Sequence, residues 1–293
     1  MEIINNHKFK GVVLFDFIDT FKTDKDCMRY LSLIKWANGY RCKKCNNSNF
    51  CKGRQPFSKR CTKCKYDEST TAHTMFDKCK FPLLTVFHLA FKISTKKKGM
   101  STLELHREFG VRQDTCWNFK KKTQKAMKSS LKHPLSGEVH VDEFFIGGPE
   151  RNQRGRGAEK KKLVVIAIEK VADGIGRAYG QIIANASSKV LAPFFNSYIA
   201  TNSNVITDEW NGYKPLMKNY PFMKQIPSNG GQNFPDLHIH IMNLKGWLRG
   251  IHHHCSKEHL QGYLDEFHFR HNRRNNMDTI FHKLIERMVM NNE

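Results

Sequence analysis

No apolar run in this chain approaches the roughly 20 residues that a membrane-spanning helix needs, so membrane residence is not expected. The start, Met-Glu-Ile-Ile-Asn-Asn-His-Lys, lacks the charged-then-apolar layout of a secretory signal, and the expectation is a protein that stays in the cytoplasm where it is made. In that compartment nine cysteines point to metal and free thiols, not to a disulfide framework. Acidic residues are scarce: 27 stand against 49 lysines and arginines, for a formal net charge of +22. With a pI near 9.7, much of the surface must be positive, which favours a polyanionic partner and, with no membrane, nucleic acid. Internal repeats and low-complexity segments are also missing, and 293 residues suffice for two or three domains.

Against that background two of the scarce acids stand out. Val139-His-Val-Asp142-Glu143 and Val205-Ile-Thr-Asp208-Glu209 both read as buried strands whose ends deliver a carboxylate. Acids so placed in a basic chain call for a divalent metal, because carboxylates and a phosphate substrate repel one another unless a cation lies between them. Polynucleotide phosphoryl transfer is the chemistry they imply. The plainer reading of each aspartate is a turn or helix cap. By strand alternation Glu143 and Glu209 point away from the site.

Upstream, residues 14–37 show helical spacing (Leu14, Phe17, Ile18, Phe21; Cys27, Tyr30, Leu31, Ile34) and predict two short supporting helices, so residues 1–37 are set apart as a helical support. Residues 38–72 hold Cys42-Lys-Lys-Cys45 and Cys61-Thr-Lys-Cys64, fifteen residues apart. Two such turns present four thiolates to one tetrahedral zinc, and a segment this polar cannot fold on apolar burial alone. Cys51 lies between them as a bystander. Lys52, Arg54, Lys59, Arg60, Lys63 and Lys65 crowd the same ribbon, either as phosphate contacts or as a solvated basic face.

Residues 73–136 turn helical. Leu83 to Phe91 form one helix ended by Lys96, Lys97, Lys98 and Gly99. Ser101 to Phe119 then reads as helix, glycine turn, helix, with Ser101 and Glu104 as a capping box and Gln113 or Asp114 opening the second helix, which runs on through Lys120, Lys121, Lys122, Lys125 and Lys128. A DNA-reading helix-turn-helix and a purely structural helical hairpin both fit.

From 137 to 293 the pattern is strand (138–146), a Gly/Arg/Lys-rich loop (147–161), strand (163–168), strand (177–184), helix (188–199) and the strand ending at Asp208. This α/β order is the layout that sets two carboxylates on adjacent central strands of a ribonuclease H-like fold. A third ligand is expected from a later helix opening at Pro235. On it His238, Lys245 and Arg249 share one flank and Asn243 falls on the other, with no glutamate before Gly250. His238 and Lys245 either face the carboxylates, as ligand and phosphate contact, or belong to a solvated flank. His252-His-His-Cys255 suits structural or DNA-contacting roles better than metal. In the last strong helix, from His259, an apolar stripe is core and Arg270, Arg273 and Arg274 are candidates to hold phosphate.

The chain resembles the ISXO-like insertion-sequence DDE transposases with an N-terminal zinc ribbon. The resemblance rests on Tyr40-Arg-Cys42-Lys-Lys-Cys45 with Arg60-Cys61-Thr-Lys-Cys64, Thr70 to Phe76, Phe81-Pro-Leu83, Ser101 to Phe119, Val139 to Gly148, Asp208-Glu-Trp-Asn-Gly-Tyr213, Leu244 to His253 and His259 to Arg274. It implies a ribonuclease H-like catalytic domain that cuts and joins transposon-end DNA with Mg2+ or Mn2+, Zn2+ in the ribbon, and double-stranded DNA, as ends and target, for partner. It further implies a homodimer or higher oligomer on DNA, in the nucleoid of a bacterial cytoplasm. Asp142 and Asp208 take the places of the first two acidic ligands and Lys245 that of the basic residue. His238 stands where many members have glutamate, with Asn243 as the other candidate, and Glu209 where glycine is commoner. The alternatives are a decayed or domesticated transposase that only binds DNA, and a structure-specific nuclease of the same fold.

Overall fold

The computed structural model describes residues 8–147, 161–252 and 255–290. The chain divides into two compact units, one of Met1–Ala126 with Asn275–Glu293 and one of Met127–Arg274. Most of the loop read at 147–161, and His253 and His254, lie outside the described residues.

In the first unit the two expected short helices are α1 (Leu14–Thr20) and α2 (Asp24–Lys35), the second opened by a capping box between Thr23 and Asp26. A ribbon of three short antiparallel strands follows: β1 (Phe50–Lys52), β2 (Lys59–Cys61) and β3 (Asp67–Glu68). The buried Lys35 ammonium lies 2.8 Å from Glu68 and donates to the carbonyls of Ser69 and Ala72, which ties the ribbon to α2. Next come α3 (Leu83–Thr95), α4 (Thr102–Phe109) and α5 (Gln113–Met127). Ser101 and Glu104 form the expected capping box, and Gly110 ends α4 at φ 65°, a left-handed conformation that glycine adopts without strain.

The catalytic domain was expected to run to residue 293, but α9 (Ile280–Met290) packs in the first unit. Phe281 meets Phe17, Phe87 and Phe91 at ring-centroid distances of 5.3, 5.7 and 5.8 Å, and the Tyr30 hydroxyl lies 2.6 Å from His282 Nδ1. An apolar helical stripe specifies burial but not the partner, so the sequence alone could not place it.

The second unit holds β4 (Glu138–Ile146), β5 (Lys162–Val171), β6 (Gly174–Ile183), α6 (Ser188–Tyr198), β7 (Asn204–Thr207), β8 (Lys224–Gln225), α7 (Pro235–Ile251) and α8 (Lys257–His271). The sheet order is β6-β5-β4-β7-β8. The first three strands form an antiparallel meander, β7 runs parallel to β4, and β8 runs parallel to β7. This is the ribonuclease H-like arrangement. Alternation divides the strands: Val139 and Val141 pack with Leu191 and Phe195 of α6, whereas Phe144 and Ile146 pack with Leu237, Leu244 and Leu264 of α7 and α8.

The arginines near the end of α8 were candidates for phosphate contact, and the structure engages each of them within the fold, burying Arg270 and leaving Arg274 exposed. Arg270 is buried in an ion pair with Glu266 at 2.6 Å, Arg273 lies over the Phe269 ring, and Arg274 donates to the carbonyl of Gly176. On the same helix Gln261 bonds Ile182 N and Gly180 O, while Asn272 bonds both backbone groups of Ala178. Side chains thus satisfy the outer row of the edge strand β6, a row that would otherwise invite pairing with another chain. His252 stacks on Tyr263 at 3.7 Å, a structural role. No helix among the described residues is long and apolar enough to cross a membrane.

His240, His268 and His271 pack between α7 and α8, with His240 Nε2 3.4 Å from His268 Nε2. Burial, then neighbouring histidines and Arg274, pull them down to about 2, 3 and 4. The unfolded chain, with ordinary histidines near 6.5, binds more protons below that pH than the folded one. Stability should therefore be complete above about pH 6.5 and fall toward pH 4, by up to roughly 1.4 kcal/mol per pH unit for each histidine. Thermal unfolding between pH 7 and 4.5 measures it, and His268→Asn should flatten the slope; an unchanged slope would mean that His268 is not held neutral.

Candidate functional site

The ribbon brings four sulfurs together. Those of Cys42, Cys45, Cys61 and Cys64 all lie within 4.8 Å of one another, in a group able to hold a metal ion. Each cysteine pair sits in a tight turn closed by a left-handed residue, Asn46 at φ 63° and Lys65 at φ 60°, whose N–H donates to the carbonyl of Cys42 or Cys61. Burial opposes ionisation of Cys61, yet the N–H of Cys64, the Asn47 amide and the N–H of Lys63 bring it down to about 6. Cys64, although approached by the Tyr66 N–H, is pushed up to about 12 by burial and by the other three sulfurs. Thiols this close cannot all ionise without a cation among them, so the donor set fits a metal. Cys51 is exposed, with its sulfur 3.6 Å from the Arg60 carbonyl, and stands outside the group.

The basic candidates are unequal. Lys59 turns its ammonium over the rings of Phe50 at 3.9 Å and Trp36 at 4.8 Å, and burial lowers its pKa. Lys52, Arg54, Lys63 and Lys65 are exposed. On α5, Lys120 is buried and donates to the Met100 carbonyl at 2.6 Å, and Lys121 lies over Trp117 at 4.4 Å. Lys122 and Lys125 remain exposed, and with Asp114 and Asn118 they form a stripe at helical spacing.

The carboxylates sit in the second unit. Asp142 lies mid-strand, not at a strand end as expected: β4 continues to Ile146 against β5, while its pairing with β7 stops at Val141–Thr207. Asp142 is thus the first residue of β4 beyond the β7 ladder, level with Asp208, the first residue after β7. The alternation that sends His140 and Phe144 toward α7 sends Asp142 there too. Burial pushes the Asp142 carboxyl up to about 7, aided by Glu143 and Asp208 and opposed by the Glu143 N–H, which donates at 2.7 Å, and by Lys245. Glu143 faces α6, where its carboxylate accepts from Tyr213 Oη at 2.5 Å, and Glu209 is exposed.

His238, in the first turns of α7, reaches this face, with its Nε2 3.8 Å from Asp142 Oδ2. A Cβ on Gly231 would come within 2.9 Å of the imidazole, and Gly231 has φ 91°, so only glycine leaves the ring its place. Two turns later the Lys245 ammonium lies 5.0 Å from the Phe144 ring centre; burial and Arg249 lower its pKa, while Asp142 raises it. Asn243 is exposed, on the opposite flank of α7 from His238. Asp142, Asp208, His238 and Lys245 thus gather on one side of β4 and β7.

Sequence reasoning passed over the residues that hold Asp208. Its Oδ1 accepts the Trp210 N–H at 3.1 Å, and its carbonyl accepts Gln225 Nε2 at 2.8 Å. Gln225 also bonds the Trp210 carbonyl, and the Trp210 indole donates to Ala186 O at 2.8 Å. The crowded Asp208-Glu-Trp-Asn-Gly-Tyr213 string was the available signal; Gln225, on a two-residue strand, left none.

A family model described as the ISXO2-like transposase domain matches residues 134–272. No curated protein matches the chain. Among solved structures, similarity is found to the Mos1 mariner paired end complex with Mn, at 12% identity and TM-score 0.30, and to the mariner Mos1 paired end complex with Mg, at 13% and 0.30. Each alignment covers 66% of this chain and 73% of the other.

If the four sulfurs form one centre, protein purified without chelator should carry one tightly held metal per chain, counted by elemental analysis. Cys61→Ser/Cys64→Ser should lose it and melt lower in the first unit; full retention of the metal would place it elsewhere.

Proposed function

We propose that this chain, whose residues 134–272 match a family model described as the ISXO2-like transposase domain, is a DNA transposase in which Asp142, Asp208 and His238 hold a divalent metal, Mg2+ or Mn2+, with Lys245 on the phosphate. One observation carries this reading: Asp142 and Asp208 stand level on adjacent strands just beyond the β4–β7 ladder, with His238 Nε2 3.8 Å from Asp142 Oδ2, and burial, with Glu143 and Asp208 nearby, disfavours ionisation of the half-buried Asp142 carboxyl. Carboxylates crowded in this way favour a cation among them. A bound divalent ion would supply positive charge to the scissile phosphodiester and activate the attacking oxygen. Asp142 and Asp208 offer oxygen donors from two fixed strands, and His238 offers a ring nitrogen where a carboxylate is common in such proteins. Lys245, anchored over Phe144, offers its ammonium to a non-bridging phosphate oxygen.

In the same reading zinc fills the four-cysteine centre, since an all-thiolate set suits it. The exposed face of α5 with the ribbon lysines binds the element's ends, as a homodimer or higher oligomer that also engages target DNA in a bacterial nucleoid. The domain bounds proposed are 38–72 for the ribbon, 73–136 for the helical region and 137–274 for the catalytic part, with α9 assigned to the N-terminal support. The replacement of a carboxylate by His238 is the feature that favours a decayed copy, and the same assays address it.

Asp142→Ala or Asp208→Ala should reduce metal-dependent end cleavage by roughly a thousandfold or more while leaving end binding intact. His238→Ala should be nearly as damaging, whereas His238→Glu should keep or raise activity. Cleavage and joining of pre-cut and uncut end DNA in magnesium and manganese decide the matter. Undiminished cleavage by either aspartate variant would sink the mechanism, cleavage without joining would make the protein a nuclease, and binding alone would make it a decayed transposase.

End binding should weaken steeply with salt, with a log–log slope of about 0.9 per phosphate neutralised. Lys122→Glu/Lys125→Glu in the full chain should lower that slope by about two. An unchanged slope would remove α5 from the interface.

A further inference from the structure

Tyr213 is completely buried beneath α6, with its ring 6.0 Å from Phe195, yet it carries a hydroxyl that a phenylalanine would replace at no cost in packing. That hydroxyl donates to Glu143 Oε2 at 2.5 Å. Burial, and then the neighbouring Glu143 charge, hold the phenol well above its ordinary pKa, so it remains a donor. Glu143 in turn donates its backbone N–H to Asp142 Oδ1 at 2.7 Å. Tyr213 belongs to the segment that begins at Asp208, and that segment turns tightly: a Cβ at Gly212 would lie 2.2 Å from the Ala186 carbonyl. The hydrogen bond therefore joins two stretches of chain that each carry one of the paired aspartates, on the sheet face opposite to them.

We propose that Tyr213 and Glu143 form a positioning pair, a buried phenol–carboxylate clasp that fixes Asp208's segment against Asp142's strand and so sets the spacing of the two metal-binding carboxylates. Neither residue touches the reacting atoms. The parallel ladder ends at Val141–Thr207, so no backbone bond between β4 and β7 holds the two strands together at the level of the aspartates. A bond between a phenol and a carboxylate, charge-assisted and shielded from water, is strong enough to serve there. This inference rests on the metal role proposed for Asp142 and Asp208.

The test uses full-length protein and Mn2+ binding followed by electron paramagnetic resonance, with thermal unfolding measured alongside. Tyr213→Phe should weaken Mn2+ binding by about ten- to a hundredfold, the range for an outer-shell partner of a metal ligand, at temperatures well below melting. Glu143→Gln, whose amide oxygen still accepts from Tyr213, should keep most of the affinity, and Glu143→Ala should lose as much as Tyr213→Phe. The double variant Tyr213→Phe/Glu143→Ala should be no worse than either single one, because the two act as a unit. Unchanged Mn2+ affinity in Tyr213→Phe and Glu143→Ala, with or without a lower melting temperature, would overturn the positioning role while Asp142→Ala still abolishes binding. Should Asp142→Ala bind Mn2+ normally, the metal reading fails and this inference falls with it.

Discussion

The parallel pairing of β7 with β4 is the constraint on which the candidate site depends. The side-chain period of a strand is two, so a slip of one residue in this register would send Asp208 to the α6 face and leave Asp142 without a partner. The four paired residues, Glu138–Asn204 to Val141–Thr207, fix that register, and the buried Val139, Val141 and Val205 make a slip costly by packing against α6. Everything polar at the site is arranged at the end of this ladder. His238 and Lys245 reach it because the apolar stripe of α7 is held against Val164 and Ile166 on the same sheet face.

The meander has an open flank, and α8 exists largely to cover it. Gln261 and Asn272 occupy the backbone donors and acceptors of β6 that no strand pairs, and Arg274 adds its own bond to the Gly176 carbonyl. This explains why the stretch from His259 to Arg274 is so rich in polar residues for a helix that packs against a sheet. Polar side chains are needed where the surface to be covered is backbone. The histidines between α7 and α8 fit the same logic, since a neutral imidazole both donates and accepts in a space that could not hold a charge.

Much of this was legible in the sequence. Strands 138–146 and 204–207, helix α6 and the two helices around Gly110 were readable because apolar periodicity, caps and glycine turns are local signals. The cysteine spacing was readable because each turn is complete within a few residues. What could not be read was partnership. Lys59, Lys120 and Lys121 look like solvated charge along the chain, but rings and a carbonyl from elsewhere in the fold hold them. The same reason hid Gln225 and the placement of α9: a side chain's spacing reports its face and says nothing of what lies opposite.

His238 shows how far local pattern can carry a site. Its place on one flank with Lys245 follows from about 100° per residue, and the structure adds the 3.8 Å approach to Asp142. A histidine offers one neutral nitrogen where a carboxylate would offer two charged oxygens, so a site of two aspartates and a histidine carries one negative charge fewer. In a chain of formal net charge +22 that difference would be felt twice under the proposed reading: a metal there would be held by less charge, and nucleic acid would meet less repulsion as it approached. Under that reading a weaker hold on the cation would place more demand on the fixed spacing of the two remaining carboxylates. That demand gives a physical reason for the side chains clustered around Asp208, where Gln225, Trp210 and Tyr213 each spend a hydrogen bond on a segment of six residues.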